Sequence, residues 1–188
     1  MGRPKRVQRA SKHRGGNGRG QRQEAREPIT FRQAVEQTPD LEGAWQPGLQ
    51  ALGNNSRRVA ANDPRTIAGS VNVEVCLKTR RQTERQWDYA VGHKPMNRRT
   101  DVVYWIEVHP ANDREINVMK EKLTSLLEWL RARAPRLNDL DGAFVWVSSG
   151  HTSFTKGAKQ VRKLADEGLI FYGGVFRIPD EFVESGFA

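Results

Sequence analysis

The chain has a single cysteine, Cys76, among 188 residues. One thiol forms no intrachain disulfide, so a secreted scaffold held by disulfides is excluded. Long apolar runs are missing too. The longest, 102–106 and 143–147, have five residues each, whereas a membrane-spanning helix needs about twenty. The N-terminal stretch is charged but has no apolar segment behind it, so a secretory signal is not expected. Hydrophobic residues are scarce at 37%, low for a fully globular chain, which points to a segment that does not fold. Acidic charge is in deficit: 31 Lys and Arg face 22 Asp and Glu, a formal net charge of +9. These shortages leave a basic, intracellular protein, expected to be cytoplasmic or nucleoid-associated.

The excess charge is concentrated at one end. Residues 1–27 hold nine Lys and Arg, among them Arg3, Lys5, Arg6, Arg9, Lys12 and Arg14, and only two Glu. The same stretch is rich in glycine and nearly free of large apolar side chains. It cannot bury enough surface to offset the entropy of ordering, so a disordered basic tail over 1–27 is expected, with a folded domain over 28–188. Clustered cations on a flexible arm bind phosphate backbones by releasing counterions. The expected partner is therefore nucleic acid, DNA or RNA. The oligomeric state, a dimer included, stays open.

In the body, Thr30 and Gln33 have capping-box spacing and predict a helix over 30–37 with Phe31, Ala34 and Val35 inward. Residues 69–78 alternate Val71, Val73, Val75 and Leu77 with polar side chains, the period of a strand. A second strand is predicted over 87–92, with Trp87, Tyr89 and Val91 on one face. A third, over 101–109, is almost continuously apolar and should be buried on both faces before Pro110 ends it. Ile116, Met119, Leu123, Leu126, Leu127 and Leu130 recur at helical spacing, so 113–134 should be a long amphipathic helix, capped by Asn112 and Glu115. A strand over 143–148, a helix over 155–167 stopped by Gly168, and a strand or strand pair over 169–178 complete the order. The expected fold class is α/β: a mixed central sheet flanked by helices, with a meander of three strands and a helical crossover to the fourth.

Ionisable residues stand out on this apolar frame. Period-2 geometry puts Glu107 and His109 on one face of the third strand. Asp88 sits between Trp87 and Tyr89 in the second, and Glu74 on the polar face of the first. If the three strands pair in order, these acids converge. Neighbouring carboxylates repel unless a proton or a cation separates them, and oxygen ligands favour Mg²⁺ or Mn²⁺. Each residue also has a plainer role open to it: Asp88 a solvated strand-edge acid, Glu107 half of a structural ion pair, His109 a polar residue at a strand end. Trp45, in a loop region, is a candidate for stacking on a base.

An acid on the second strand of a meander, then Glu107-Val108-His109 on the third, then a helix and a fourth strand, resembles the PD-(D/E)XK superfamily of restriction-endonuclease-like nucleases. The resemblance spans about residues 30–150 in element order and rests on three residues of motif. It implies metal-dependent phosphodiester hydrolysis, with Asp88 and Glu107 as ligands of Mg²⁺ or Mn²⁺ and His109 where the family places lysine. Glu36 would match an acid that many members carry on the leading helix. Histidine is not a permanent cation, and Lys120 or Lys122 on the following helix could supply the missing charge, as in some members. The rival expectations are a non-catalytic nucleic-acid-binding protein on the same fold, and an adaptor whose tail binds an acidic partner.

Overall fold

The computed structural model describes residues 28–78, 86–154 and 159–183. The basic tail, with Arg3, Lys5, Arg6, Arg9, Lys12 and Arg14, lies outside the described residues, as do 79–85, 155–158 and 184–188.

The first helix, α1 (Phe31–Glu36), forms where the capping box predicts it. Gln33 N–H donates to Thr30 Oγ1 at 3.2 Å and Thr30 N–H to Gln33 Oε1 at 3.0 Å. Phe31 N–H, otherwise an orphan of the first turn, donates to the buried Asp101 Oδ2 at 2.8 Å. Phe31, Ala34 and Val35 are buried as expected. After α1 a 3₁₀ stretch runs over Gln50–Arg58 and leads into β1 (Val59–Ala61).

β2 (Ile67–Asn72) is only the first half of the strand expected over 69–78. The second half is a helix, α2 (Val73–Lys78). The pattern misleads because Val73 and Leu77 are also four residues apart and share a helix face. Both are buried, while Val75 is 58% exposed, which strand alternation would have forbidden. Local bonds settle the choice. Val73 and Glu74 N–H both donate to Asp88 O, and Val75 N–H donates to Asn72 Oδ1 at 3.0 Å.

β3 (Tyr89–His93) and β4 (Val102–Ala111) follow, then α3 (Glu115–Arg133), α4 (Pro135–Asn138), β5 (Gly142–Thr152), α5 (Lys159–Asp166), β6 (Leu169–Tyr172) and β7 (Phe176–Ile178). Trp87 and Tyr89 do not share a face as expected: Trp87 packs with Ala90 and Trp105, Tyr89 with Val91 and Tyr104. Trp87 precedes the strand, so the two-residue period does not bind it. β4 runs past Pro110 because its pairing with β5 shifts register between His109 and Ala111. β5 likewise continues to Thr152, beyond the strand expected over 143–148. Gly168 closes the turn after α5 with φ of 85°, the left-handed conformation its position as a helix stop demands.

The strands form a mixed sheet in the order β2-β3-β4-β5-β6. β2, β3 and β4 are antiparallel; β4, β5 and β6 are parallel. The expected meander and helical crossover are both present, and the fold is a mixed α/β architecture with helices against the sheet. Val103, Trp105, Phe144 and Trp146 point to the helical face, where α1, α3 and α5 cover them. Tyr104, Ile106, Val145 and Val147 point to the other, which a parallel ribbon of β1 and β7 covers together with Leu52 and Phe182. β4 is thus buried on both faces from Val102 to Glu107.

α1 lies tightly on the sheet at Gly92, where a methyl group would lie 2.3 Å from the Phe31 ring. Gly92→Ala should cost about 1–3 kcal/mol of stability by overpacking, read as a lower urea midpoint at unchanged slope. An unaltered midpoint would show that α1 is free to retreat.

Candidate functional site

Asp88 and Glu107 meet where β3 begins beside β4, and each carboxylate accepts from the main chain at or next to the other residue. Val108 N–H donates to Asp88 Oδ2 at 2.9 Å, and Asp88 N–H donates to Glu107 Oε2 at 3.2 Å. These bonds set the direction of both carboxylates. The remaining oxygens, Asp88 Oδ1 and Glu107 Oε1, both face the ammonium of Lys122 on α3. Nζ is in contact with Glu107 Oε1 and 3.8 Å from Asp88 Oδ1.

Glu107 has no solvent exposure. Burial, reinforced by the charge of Asp88, pushes its carboxyl up to about 8, against the lowering pull of Lys122 and the Asp88 N–H. Burial also raises Asp88, opposed first by Lys122 and then by the Val108 N–H. The pair is therefore a place where negative charge is expensive and a cation is stabilising.

His109 lies two residues beyond Glu107, on the same face. Its Nδ1 is 3.8 Å from Glu107 Oε1, and its Nε2 is 2.7 Å from Glu115 Oε2. The main chain beneath it is held by Trp146 Nε1, which donates to His109 O at 3.1 Å.

Asp88, Glu107, His109 and Lys122 thus come together, as the strand order and the helix after it implied. The other candidates are elsewhere. Glu36 pairs with Arg32 at 2.7 Å on the exposed side of α1. Lys120 pairs with Glu167, beyond the end of α5. The two lysines flank the buried stripe of α3 on opposite sides, and ion pairs across the fold distinguish them: Lys122, with its side chain 12% exposed, faces the acids, while Lys120, 36% exposed, reaches Glu167. Glu74, expected on a strand, sits in the first turn of α2 and pairs with Lys78 at 2.7 Å. Its charge still reaches Asp88 and adds to the upward shift there. Trp45 is not an open stacking platform: the Arg32 guanidinium lies 4.4 Å over its ring, and Nε1 donates to Ala68 O.

Glu115 is the residue that sequence reasoning assigned to another task. With Asn112 it has capping-box spacing, which would turn its side chain back to the main chain. In the structure Asn112 Oδ1 accepts from Arg114 N–H at 3.0 Å, and Glu115 reaches His109 instead. Its only signal was an acid six residues after the histidine, across a proline turn.

Among the described residues, no group of three His, Cys, Asp or Glu side chains stands close enough to hold a metal ion as placed. The acid pair nonetheless fits one in chemistry. Its two outward oxygens converge on a single cation, and both are hard ligands of the kind that Mg²⁺ and Mn²⁺ take. Comparison with known proteins gives no match: no family model, curated protein or solved structure corresponds to the chain.

Lys122→Met leaves the two acids facing each other. The ammonium lowers both carboxyls, so its removal raises them further, and a native pKa above the unfolded value means stability lost as pH rises. The window runs from the ordinary 4.5 of a glutamate to about 8 and above. The variant should lose about 3–5 kcal/mol at pH 8 and markedly less at pH 5, read by urea melts at both. A deficit independent of pH would mean that the lysine contributes packing alone.

Proposed function

We propose that the chain is a metal-dependent nuclease of the PD-(D/E)XK, restriction-endonuclease-like kind, hydrolysing phosphodiester bonds of DNA or RNA. The observation that carries this reading is the convergence of the remaining oxygens of Asp88 and Glu107 on one cation, the Lys122 ammonium, at the join of β3 and β4. The order of helix, three-stranded meander, helix and parallel strand supports it, since that order is what the resemblance implies.

Asp88 and Glu107 would hold Mg²⁺ or Mn²⁺. Such an ion polarises a phosphate oxygen and lowers the pKa of a bound water. The chain's own residues do the rest. The Val108 and Asp88 N–H groups keep the carboxylates aimed, so little reorganisation accompanies charge at the site. Lys122 supplies the permanent cation that His109 cannot, from the following helix and not from the strand. Its ammonium has three N–H donors for a phosphate oxygen or the attacking water. The basic stretch 1–27 supplies long-range attraction to the polymer, with sequence-independent binding to phosphate.

A second reading has its own observation: Lys122 already faces both acids and pairs with Glu107, as in a purely structural ion pair. It makes the chain a nucleic-acid-binding protein or adaptor with no metal-dependent product.

Incubation with plasmid, and separately with single-stranded DNA and RNA, in Mg²⁺ or Mn²⁺ separates the two. Cleavage is expected for the wild type and should fall to background in Asp88→Asn and Glu107→Gln. Lys122→Ala should retain binding and lose about 10²–10³-fold in rate, the usual cost of one preorganised donor. Equal cleavage by wild type and acid variants would sink the assignment.

Removal of residues 1–27 should weaken nucleic-acid binding and flatten its salt dependence. On duplex DNA the slope of log K against log salt should shrink by about 0.9 for every phosphate that the tail neutralises. Fluorescence anisotropy at several salt concentrations measures it. An unchanged slope would place the phosphate-binding cations on the folded body.

A further inference from the structure

The last turn of the 3₁₀ stretch places Arg57 and Arg58 at the start of the β1–β7 ribbon. Arg58 is half-buried and Arg57 exposed. Arg58 Nη1 donates to Ser148 O at 2.6 Å and reaches Gly174 O at 3.5 Å, while Nη2 donates to Ser149 O. The guanidinium is thus pinned between the end of β5 and the turn before β7. Carbonyls fix its place without cancelling its charge, and no acid among the described residues pairs with it. A guanidinium has five N–H donors. Nε–H and one Nη2–H of Arg58 have no partner among the described residues. Together they form a side fork that matches two oxygens of a phosphate. Arg177 extends the charge. It stands opposite Ala60, two residues beyond Arg58, and faces outward because Phe176 and Ile178 are buried. Like Arg57, it is exposed and has no acidic partner among the described residues. The nearby acids lie beyond the other end of the ribbon, Asp180 bonded to Asn62 and Asp63 paired with Arg65.

Register ties this surface to the acid pair. Ser148, whose carbonyl holds Arg58, pairs with His109 in the β4–β5 ladder, two residues beyond Glu107. Strands about 4.8 Å apart that rise about 3.3 Å per residue put the Cα atoms of Ser148 and Glu107 about 8 Å apart. Arg58 comes from the layer of the ribbon and Glu107 faces the layer of α3, so the two flank one end of the sheet. We infer that Arg58, with Arg57 and Arg177 beside it, binds the phosphodiester backbone of a nucleic acid at that end, the Arg58 fork gripping two oxygens of one phosphate. The inference rests on nucleic acid as the partner proposed above and adds the surface of the folded body that holds it. Arg58 is a positioning residue: it sets the backbone beside Asp88 and Glu107 and touches no reacting atom.

The full-length chain in EDTA tests this apart from cleavage. In ¹H–¹⁵N spectra of the wild type, the Arg58 Nε–H resonance should shift saturably with a short duplex DNA or a short single-stranded RNA. The larger shift identifies the polymer, and poly-glutamate should leave the resonance in place. Arg57→Ala and Arg177→Ala, both at exposed side chains, should each reduce the slope of log K against log salt by about 0.9 on a duplex or about 0.7 on a single strand. Arg58→Lys should keep the slope and lose about tenfold in affinity, because an ammonium keeps the charge but not the fork. An Arg58 resonance unmoved by either polymer overturns the inference, as does an equal shift with poly-glutamate. Unchanged slopes in both alanine variants overturn the wider surface. The wild-type spectrum decides even if Arg58→Lys fails to fold. Metal-dependent cleavage with an unmoved resonance leaves the nuclease reading standing alone. A shifted resonance without cleavage keeps the phosphate surface and removes the nuclease.

Discussion

A carboxylate without access to water, beside a second one mostly withdrawn from it, is the demand that the surrounding structure is built to meet. Left alone, such a pair would cost several kcal/mol or take up protons. Here three kinds of partner share the cost. Main-chain N–H groups beside each acid take one oxygen of each, Lys122 faces the other two, and burial still pushes the Glu107 carboxyl up.

The partners arrive correctly only if α3 keeps its register on the sheet. Its buried stripe, Met119, Leu123, Leu126 and Leu130, packs on the face that carries Trp105 and Trp146. Both ends are tied by side-chain hydrogen bonds. Near the C-terminus, Arg133 and the Trp129 indole donate to the buried Asp40. At the N-terminus, Glu115 holds His109. A helix fixed at both ends delivers Lys122 to the acids as a consequence of core packing, so stability and site geometry are coupled through one element.

The opposite face of the sheet does a different job. Tyr104, Phe176, Phe182 and Tyr172 stack into an aromatic layer under the β1–β7 ribbon. Arg58 reaches from the 3₁₀ stretch to the carbonyls of Ser148 and Ser149, holding the end of β5. β4 is thereby covered on both sides, and the low dielectric that raises Glu107 is a property of both layers.

Much of this was written in local pattern. The capping box at Thr30, the doubly buried run of β4 and the 3.6-residue stripe of α3 depend on neighbours close in sequence, and so did the prediction that Asp88, Glu107 and His109 share a locality. Where two periods fit the same residues, pattern failed. Val73 and Leu77 satisfy both a strand and a helix, and the choice was made by the carbonyl of Asp88, fifteen residues away. The capping residue Glu115 took a tertiary partner for the same reason: an imidazole offered a better bond than the main chain. By itself the sequence determined which residues must be hidden, and hence the layers and the strands carrying the acids. Only the tertiary structure decided which lysine answers them and which glutamate holds the histidine, because a hydrogen bond or ion pair is set by distances across the fold, and hydrophobic periodicity carries no record of those.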